Sequence, residues 1–256
     1  MPDWTPCPET CRHHHDLDSL RRHWDRLHTG DQEAWPLDPD LQEGWRRYHN
    51  GDFQAAAHAG LALGTAGTAL ANKATSIHAV YVEPSESLRV ERLLQVVERA
   101  RQQQQVSPEL PSAWYWHGYA LGRYCQGISV VRALAQNLGS QVRTSLETAL
   151  RLAPRHTDAH LALAHYHAEV IDKVGALIAG LVHGAHKDTA RHLYDQALAL
   201  EPGSAIVLHE VAEGWLMLDH DAMANANGLR ERAAGIAPLD AMECLYRDAV
   251  LAGSGD

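Results

Sequence analysis

The chain has 256 residues, 45% of them hydrophobic, and a formal charge of −10. That length allows one elongated body or two small domains around a substantial core, and the charge leaves no basic field for nucleic acid, since Arg21-Arg22 and Arg46-Arg47 are isolated pairs. A single Phe beside many Ala and Leu residues argues against a β-rich core of aromatic and β-branched side chains, so the expected class is all-α.

Residues 1–16, with several prolines, Cys7, Cys11 and the run His13-His14-His15, show no helical period and are expected to form a flexible arm. Helical spacing runs through 17–28, and Thr29-Gly30-Asp31 marks a turn. One antiparallel pair is expected within 39–64, with Gly44 and Tyr48 on its first helix, Gly51-Asp52 in the turn, and Phe53 and Ala56 opening the return. A longer pair follows at 66–82 and 88–105, broken at Glu83-Pro84 with Ser85 or Ser87 as the cap. Pro108 and Pro111 then divide a region 17–110 from a region 111–252.

The second region repeats itself. Ala149-Leu-Arg-Leu-Ala-Pro154 returns as Ala197-Leu-Ala-Leu-Glu-Pro202 and, loosened, as Ala233-Ala-Gly-Ile-Ala-Pro238, each closing a helical stretch. Val142, Ala190 and Ala226 each stand 12 residues before the closing proline, slim side chains where two helices must cross closely. Trp114, Gly118 and Leu121 open one unit, Leu163, Ala164 and His167 the next, and Leu208, Ala212 and Trp215 a third. On these residues the chain resembles the tetratricopeptide (TPR) repeat, and the early pair around Gly44, Gly51, Phe53 and Ala56 fits it too. The resemblance implies a right-handed superhelical array of antiparallel helix pairs, a TPR-like α-solenoid, over roughly residues 37–250.

Pro154 to Pro202 spans 48 residues and Pro202 to Pro238 spans 36, against a family period of about 34. Insertions at 124–141 and 170–187 are expected to extend neighbouring hairpins that pack on each other, and the uncharged run 174–182, far short of a bilayer span, to pack against 128–138. With these insertions, Trp-Tyr-Trp-His-Gly-Tyr at 114–119 and Glu-Val-Ile-Asp-Lys-Val-Gly at 169–175, the chain is similar to a bacterial branch of TPR proteins associated with TRAP-type solute transporters. It is similar, more distantly, to the regulators of microtubule dynamics. The first comparison implies binding of a ligand or partner near a transporter.

In this repeat family the first helix of each pair lines a concave groove. Carried over by register, the resemblance assigns to that groove Trp45 and Tyr48, then Tyr115, Tyr119 and Arg123, then His165 and Glu169, then His209 and Glu213. Central aromatic and Arg side chains are worth about 2 kcal/mol or more each in binding; the competing expectation is that several simply pack between helices. His165 with Glu169 and His209 with Glu213 each share a helix face, which makes two imidazoles and two carboxylates a candidate set for a divalent metal. Cys7, Cys11 and His13 to His15 are a weaker zinc set, and structural pairs and a solvated arm are the commoner meanings of such patterns. Asp172-Lys173 with Arg123 forms a candidate ion-pair network.

No Gly-x-Ser-x-Gly elbow, phosphate-cradling Gly-rich loop or His-Glu-x-x-His helix occurs. The expected function is a non-catalytic binding or scaffold module, without cofactor, presenting its groove to a protein segment or a small polar ligand. The alternative is a small-molecule or metal-binding protein serving solute transport, with its site beneath the extended hairpins; self-association through those hairpins is a third reading. The four cysteines do not read as a disulfide scaffold, the opening residues carry no apolar leader, and the expected compartment is the cytoplasm. Eighteen histidines make binding or assembly sensitive to mild acid.

Overall fold

Caps and prolines start the helices. In the computed structural model, which describes residues 4–128 and 137–253, Asp16 accepts a hydrogen bond from Ser19 N at 2.7 Å to open α1 (Leu17–Leu27), and Asp38 followed by Pro39 opens α2 (Pro39–His49). Gly51, at φ +89°, makes the left-handed turn from which Asp52 caps α3 (Phe53–Ala62). After α4 (Thr68–Tyr81), Ser85 rather than Ser87 caps α5 (Glu86–Val106). Then come α6 (Pro111–Gln126), α7 (Leu138–Leu152), α8 (Thr157–Val174), α9 (Lys187–Leu200), α10 (Ala205–Leu218), α11 (Met223–Ala234) and α12 (Ala241–Gly253). Every regular element among the described residues is helical.

Helices α2 to α11 form five antiparallel pairs that stack side by side, an α-solenoid. The first helix of each pair also contacts the first helix of the next, so α2, α4, α6, α8 and α10 make an inner layer. Slim residues set the spacing: Ala149, Ala190, Ala197 and Ala226 are fully buried, and a Cβ on Gly118 would come 2.8 Å from the Leu146 side chain. Each fully buried Leu, such as Leu146 or Leu208, contributes about 1.5–3 kcal/mol relative to exposure.

Helix α12 leaves this order. It packs against α2, α4, α10 and the short 3-10 turn Glu9–Cys11, and places Ala241, Cys244 and Leu245 in one core with Leu20, Trp24, Trp45, Tyr48 and Phe53. The last helix thus lies over the first pairs. A single disulfide joins Cys11 to Cys244 across 233 residues of sequence, a pairing not expected from the cysteine spacing, and Cys7 and Cys125 are free. Cysteine spacing carries no trace of this pairing because the return of α12 is a tertiary event. Residues 4–16 are pinned, not a free arm: His78 Nε2 donates to Thr5 O at 2.8 Å, Trp4 lies 4.5 Å from the His78 ring, and His15 Nε2 donates to Leu239 O at 2.8 Å. The two hydrophobic clusters meet within α4.

A buried polar chain crosses the first of these cores. Lys73 Nζ lies 2.6 Å from Asp31 Oδ2, Asp31 Oδ1 lies 2.9 Å from His28 Nδ1, the His28 and His49 Nε2 atoms are 3.0 Å apart, and His49 Nδ1 lies 2.7 Å from Asp240 Oδ2. Burial pushes His28 down to about 4 and lowers His49 as well, so both imidazoles favour the neutral form and the Lys73 ammonium is the cation that faces the Asp31 and Asp240 carboxylates.

The second insertion begins where α8 ends at Val174. Gly175 takes φ +79°, a short helical turn Ala176–Ile178 and a π turn Ala179–His183 follow, and His183 O accepts from Tyr166 Oη and Arg143 Nη1. Leu177 and Leu181 remain 76% and 80% exposed, so these side chains of the run 174–182 face outward rather than into a core. Most of its expected partner, 128–138, lies outside the described residues. Lys173 approaches Glu169 rather than Arg123. No described helix is long and apolar enough to cross a membrane.

Candidate functional site: a capped groove

A half-open cavity of about 390 Å³ lies along the inner helices beneath α12 and the two insertions. Its walls come from Lys73, Ile77 and Tyr81 of α4, the 115–126 face of α6, Gly139, Val142 and Leu146 of α7, the 158–174 face of α8, Ile206 and Glu210 of α10, Met242 and Tyr246 of α12, and Ile128, Val182 and His183 of the insertions. A volume of this order suits a small molecule, at the lower end of ordinary ligand pockets. Helix α12 sets Met242 and Tyr246 into the concave face that an open solenoid would leave to a long segment.

Of the residues assigned by register, Tyr115, Tyr119, Arg123, His165 and Glu169 line this cavity together. They share it because Tyr115, Tyr119 and Arg123 are four apart on α6, as are His165 and Glu169 on α8. His209 and Glu213 are not among its lining residues. They border a second recess of about 270 Å³, where Glu213 pairs with Arg230, and the two spaces share Tyr81, Arg123, Glu210 and Tyr246. Trp45 and Tyr48 are a correction. They are 2% and 0% exposed, because α1 and α12 cover their helix: Trp45 meets Trp24 edge-on at 5.7 Å, and Tyr48 Oη donates to Met242 Sδ at 3.0 Å. Both are core side chains, and large ones.

Charge inside the cavity is arranged in pairs. His165 Nε2 lies 2.7 Å from Glu210 Oε2, not from Glu169, while its Nδ1 faces Tyr194 Oη at 3.0 Å. Burial works against the His165 charge, but Glu210 outweighs it and raises its pKa. Burial likewise opposes the Glu210 carboxylate, yet His165 and Arg123 hold it down at about 2. Glu169 accepts from Gln126 Nε2 at 2.5 Å. The proposed set of two imidazoles and two carboxylates therefore does not gather around one point, and the same is true of the arm set. The one described cluster with metal-ligand spacing is Cys11, Cys244 and Asp248, whose thiols are joined as the disulfide.

Sequence reasoning passed over Lys73, Tyr81, Asp158, Glu210 and Tyr246. Two carried a usable signal. Asp158 stands seven residues before His165 on α8 and shares its face, and Glu210 stands four after Ile206 on α10, one position away from the register that selected His209. Asp158 is half-buried at the start of α8, and burial, then Asp31, push its carboxyl up to about 7 while Lys73 pulls the other way. Tyr246 and Met242 enter only through the return of α12.

No protein-family model matches the sequence, and no curated protein does. Among solved structures, the chain is similar to TTC0263, a thermophilic TPR protein of Thermus thermophilus, with a TM-score of 0.59, 18% identity, and coverage of 83% of this chain and 97% of that one. At that identity the likeness is one of fold: this chain has a TPR-like α-solenoid.

Proposed function

We propose that this chain is a non-catalytic binding protein whose capped concave groove receives a small molecule. The observation that carries this reading is the half-open cavity of about 390 Å³ lined by the inner helices, α7, the insertions and α12. Solenoids of this kind commonly hold protein segments on their concave face. Here α12 lies where such a segment would run, which favours a small ligand over the peptide expected from the repeat pattern. The walls combine tyrosines with a few charged groups held in place by neighbours, the combination that orients a ligand at low ordering cost. A role beside solute transport, implied by the resemblance to transporter-associated repeat proteins, is compatible with such a ligand. The Cys11–Cys244 disulfide supports an oxidising compartment in place of the cytoplasm, because structural disulfides are rare under cytosolic reducing conditions.

The test is a thermal-shift panel of metabolite-sized compounds on the intact protein and on Ala162→Phe, which places a ring in the cavity from the α8 wall. A saturating ligand at about 100 times its Kd adds about 2.7 kcal/mol of stability. Hits are expected with the native protein and lost in the filled variant, with helical content unchanged. Hits that survive in Ala162→Phe, or a panel that shifts neither protein, would reject the cavity as the site.

A further inference from the structure

The charged groups around the cavity separate by sign. At the end where α8 begins, Lys73 is the cation among the carboxyls of Asp31, Glu33, Asp158 and Glu201, since burial disfavours a charge on His28 and His49 and Arg26 is paired with Glu243. His156, the N-cap of α8, adds no charge there, since burial pushes it down to about 4. Asp158 accepts no hydrogen bond from any described residue. Its carboxyl and that of Glu33 are both pushed up to about 7, first by burial and then by Asp31. This end lacks a second cation.

The opposite end lacks an anion. Arg123 and His165 have Glu210 as the near carboxylate; Glu169 acts on His165 more weakly and is shared with Gln126 and Lys173, and Glu213 pairs with Arg230. Among the described residues Arg123 forms no ion pair; it touches only the Gln126 amide and the Tyr119 ring and hydroxyl. Tyr115, beside Asp158, and Arg123 are eight residues apart on α6, so the two poles are separated by about 12 Å at 1.5 Å per residue. Tyr115, Tyr119, Leu161 and Ile206 supply a largely apolar wall between them.

The geometry points to a linear zwitterion as the ligand, its ammonium at Asp158, its carboxylate on the Arg123 guanidinium, and an apolar chain between. This rests on the small-molecule reading of the cavity and names the chemistry of its occupant. A planar guanidinium matches a carboxylate with paired hydrogen bonds, and an ammonium supplies the donors and the charge that the α8 end is missing.

Isothermal titration with ω-aminooctanoate, octanoate and octylamine tests it. The zwitterion binds about tenfold tighter than either single-ended probe, the worth of one charge-assisted hydrogen bond in a buried site. Because the ammonium favours the ionised Asp158, binding at pH 7 releases protons, seen as a dependence of the measured heat on buffer ionisation; Asp158→Asn abolishes that release, and Arg123→Gln levels ω-aminooctanoate with octylamine. Both variants are close in shape to the native residues, and the ranking and proton release of the native protein stand without them. Equal binding of all three probes, lost in Ala162→Phe, overturns the dipolar assignment and leaves the cavity a ligand site. Binding of none of them while other small molecules shift the native protein overturns the zwitterion alone, and a cavity that takes nothing overturns both readings.

Discussion

Breaking the Cys11–Cys244 bond should cost this protein about 5 kcal/mol, from the loop-closure entropy of a disulfide. The bond closes a loop of 233 residues, most of the chain, and joins the N-terminal turn to the helix that caps the groove. For a body of this size each kcal/mol moves the melting temperature by about 2–4 °C, so the midpoint should fall by about 10–20 °C on reduction. Calorimetry with and without a phosphine reductant measures this. Thiol titration of the denatured, unreduced protein should find two reactive groups, Cys7 and Cys125, and four after reduction. A Cys11→Ala, Cys244→Ala double variant should melt low and ignore the reductant. Coincident melting curves for oxidised and reduced protein, with the thiol count proving that the bond was broken, would refute the reasoning, as would four free thiols before reduction.

Acid should destabilise the fold. Burial pushes His28, His78, His117, His156 and His167 each down to about 4, while their unfolded counterparts titrate near 6.5. Between those values the unfolded chain takes up protons that the folded one refuses, so stability present above pH 6.5 is lost as pH falls toward 4; His156 alone accounts for about 3 kcal/mol. Asp158 and Glu33, pushed up to about 7, act in the opposite sense but are fewer. Urea midpoints across this range check the sign, and a midpoint that rises on acidification contradicts it. Asp31→Asn strands the Lys73 ammonium in the core and should cost about 3–5 kcal/mol, with much of the loss recovered in the double variant Asp31→Asn, Lys73→Met; no recovery would mean that the pair is not the reason. Gly118→Leu drives a side chain into Leu146, which a Cβ alone would approach to 2.8 Å, and should lower stability by about 1–3 kcal/mol in the same urea assay.

The helices and their pairing were legible in the chain because their causes are local. Ser85, Gly51-Asp52 and the alanines that precede Pro154, Pro202 and Pro238 act on neighbours a few residues away, through capping, left-handed turns and close helix crossing. Half of the site was legible for the same reason: Tyr115, Tyr119, Arg123, His165 and Glu169 share faces by helical periodicity, and the inner layer brings those faces together. Trp45 and Tyr48 have an equally good register, but a register says only which way a side chain points, not what arrives to cover it. The arrival of α12 was decided by contacts between residues more than 190 apart, Tyr48 with Met242, His49 with Asp240 and Cys11 with Cys244. Those contacts brought Met242 and Tyr246 into the wall of the groove, buried two of its expected residues and tied down the N-terminal segment. Periodicity and turn chemistry act along the chain, whereas closure depends on which distant surfaces lose the most water by meeting, and only the folded arrangement holds that information.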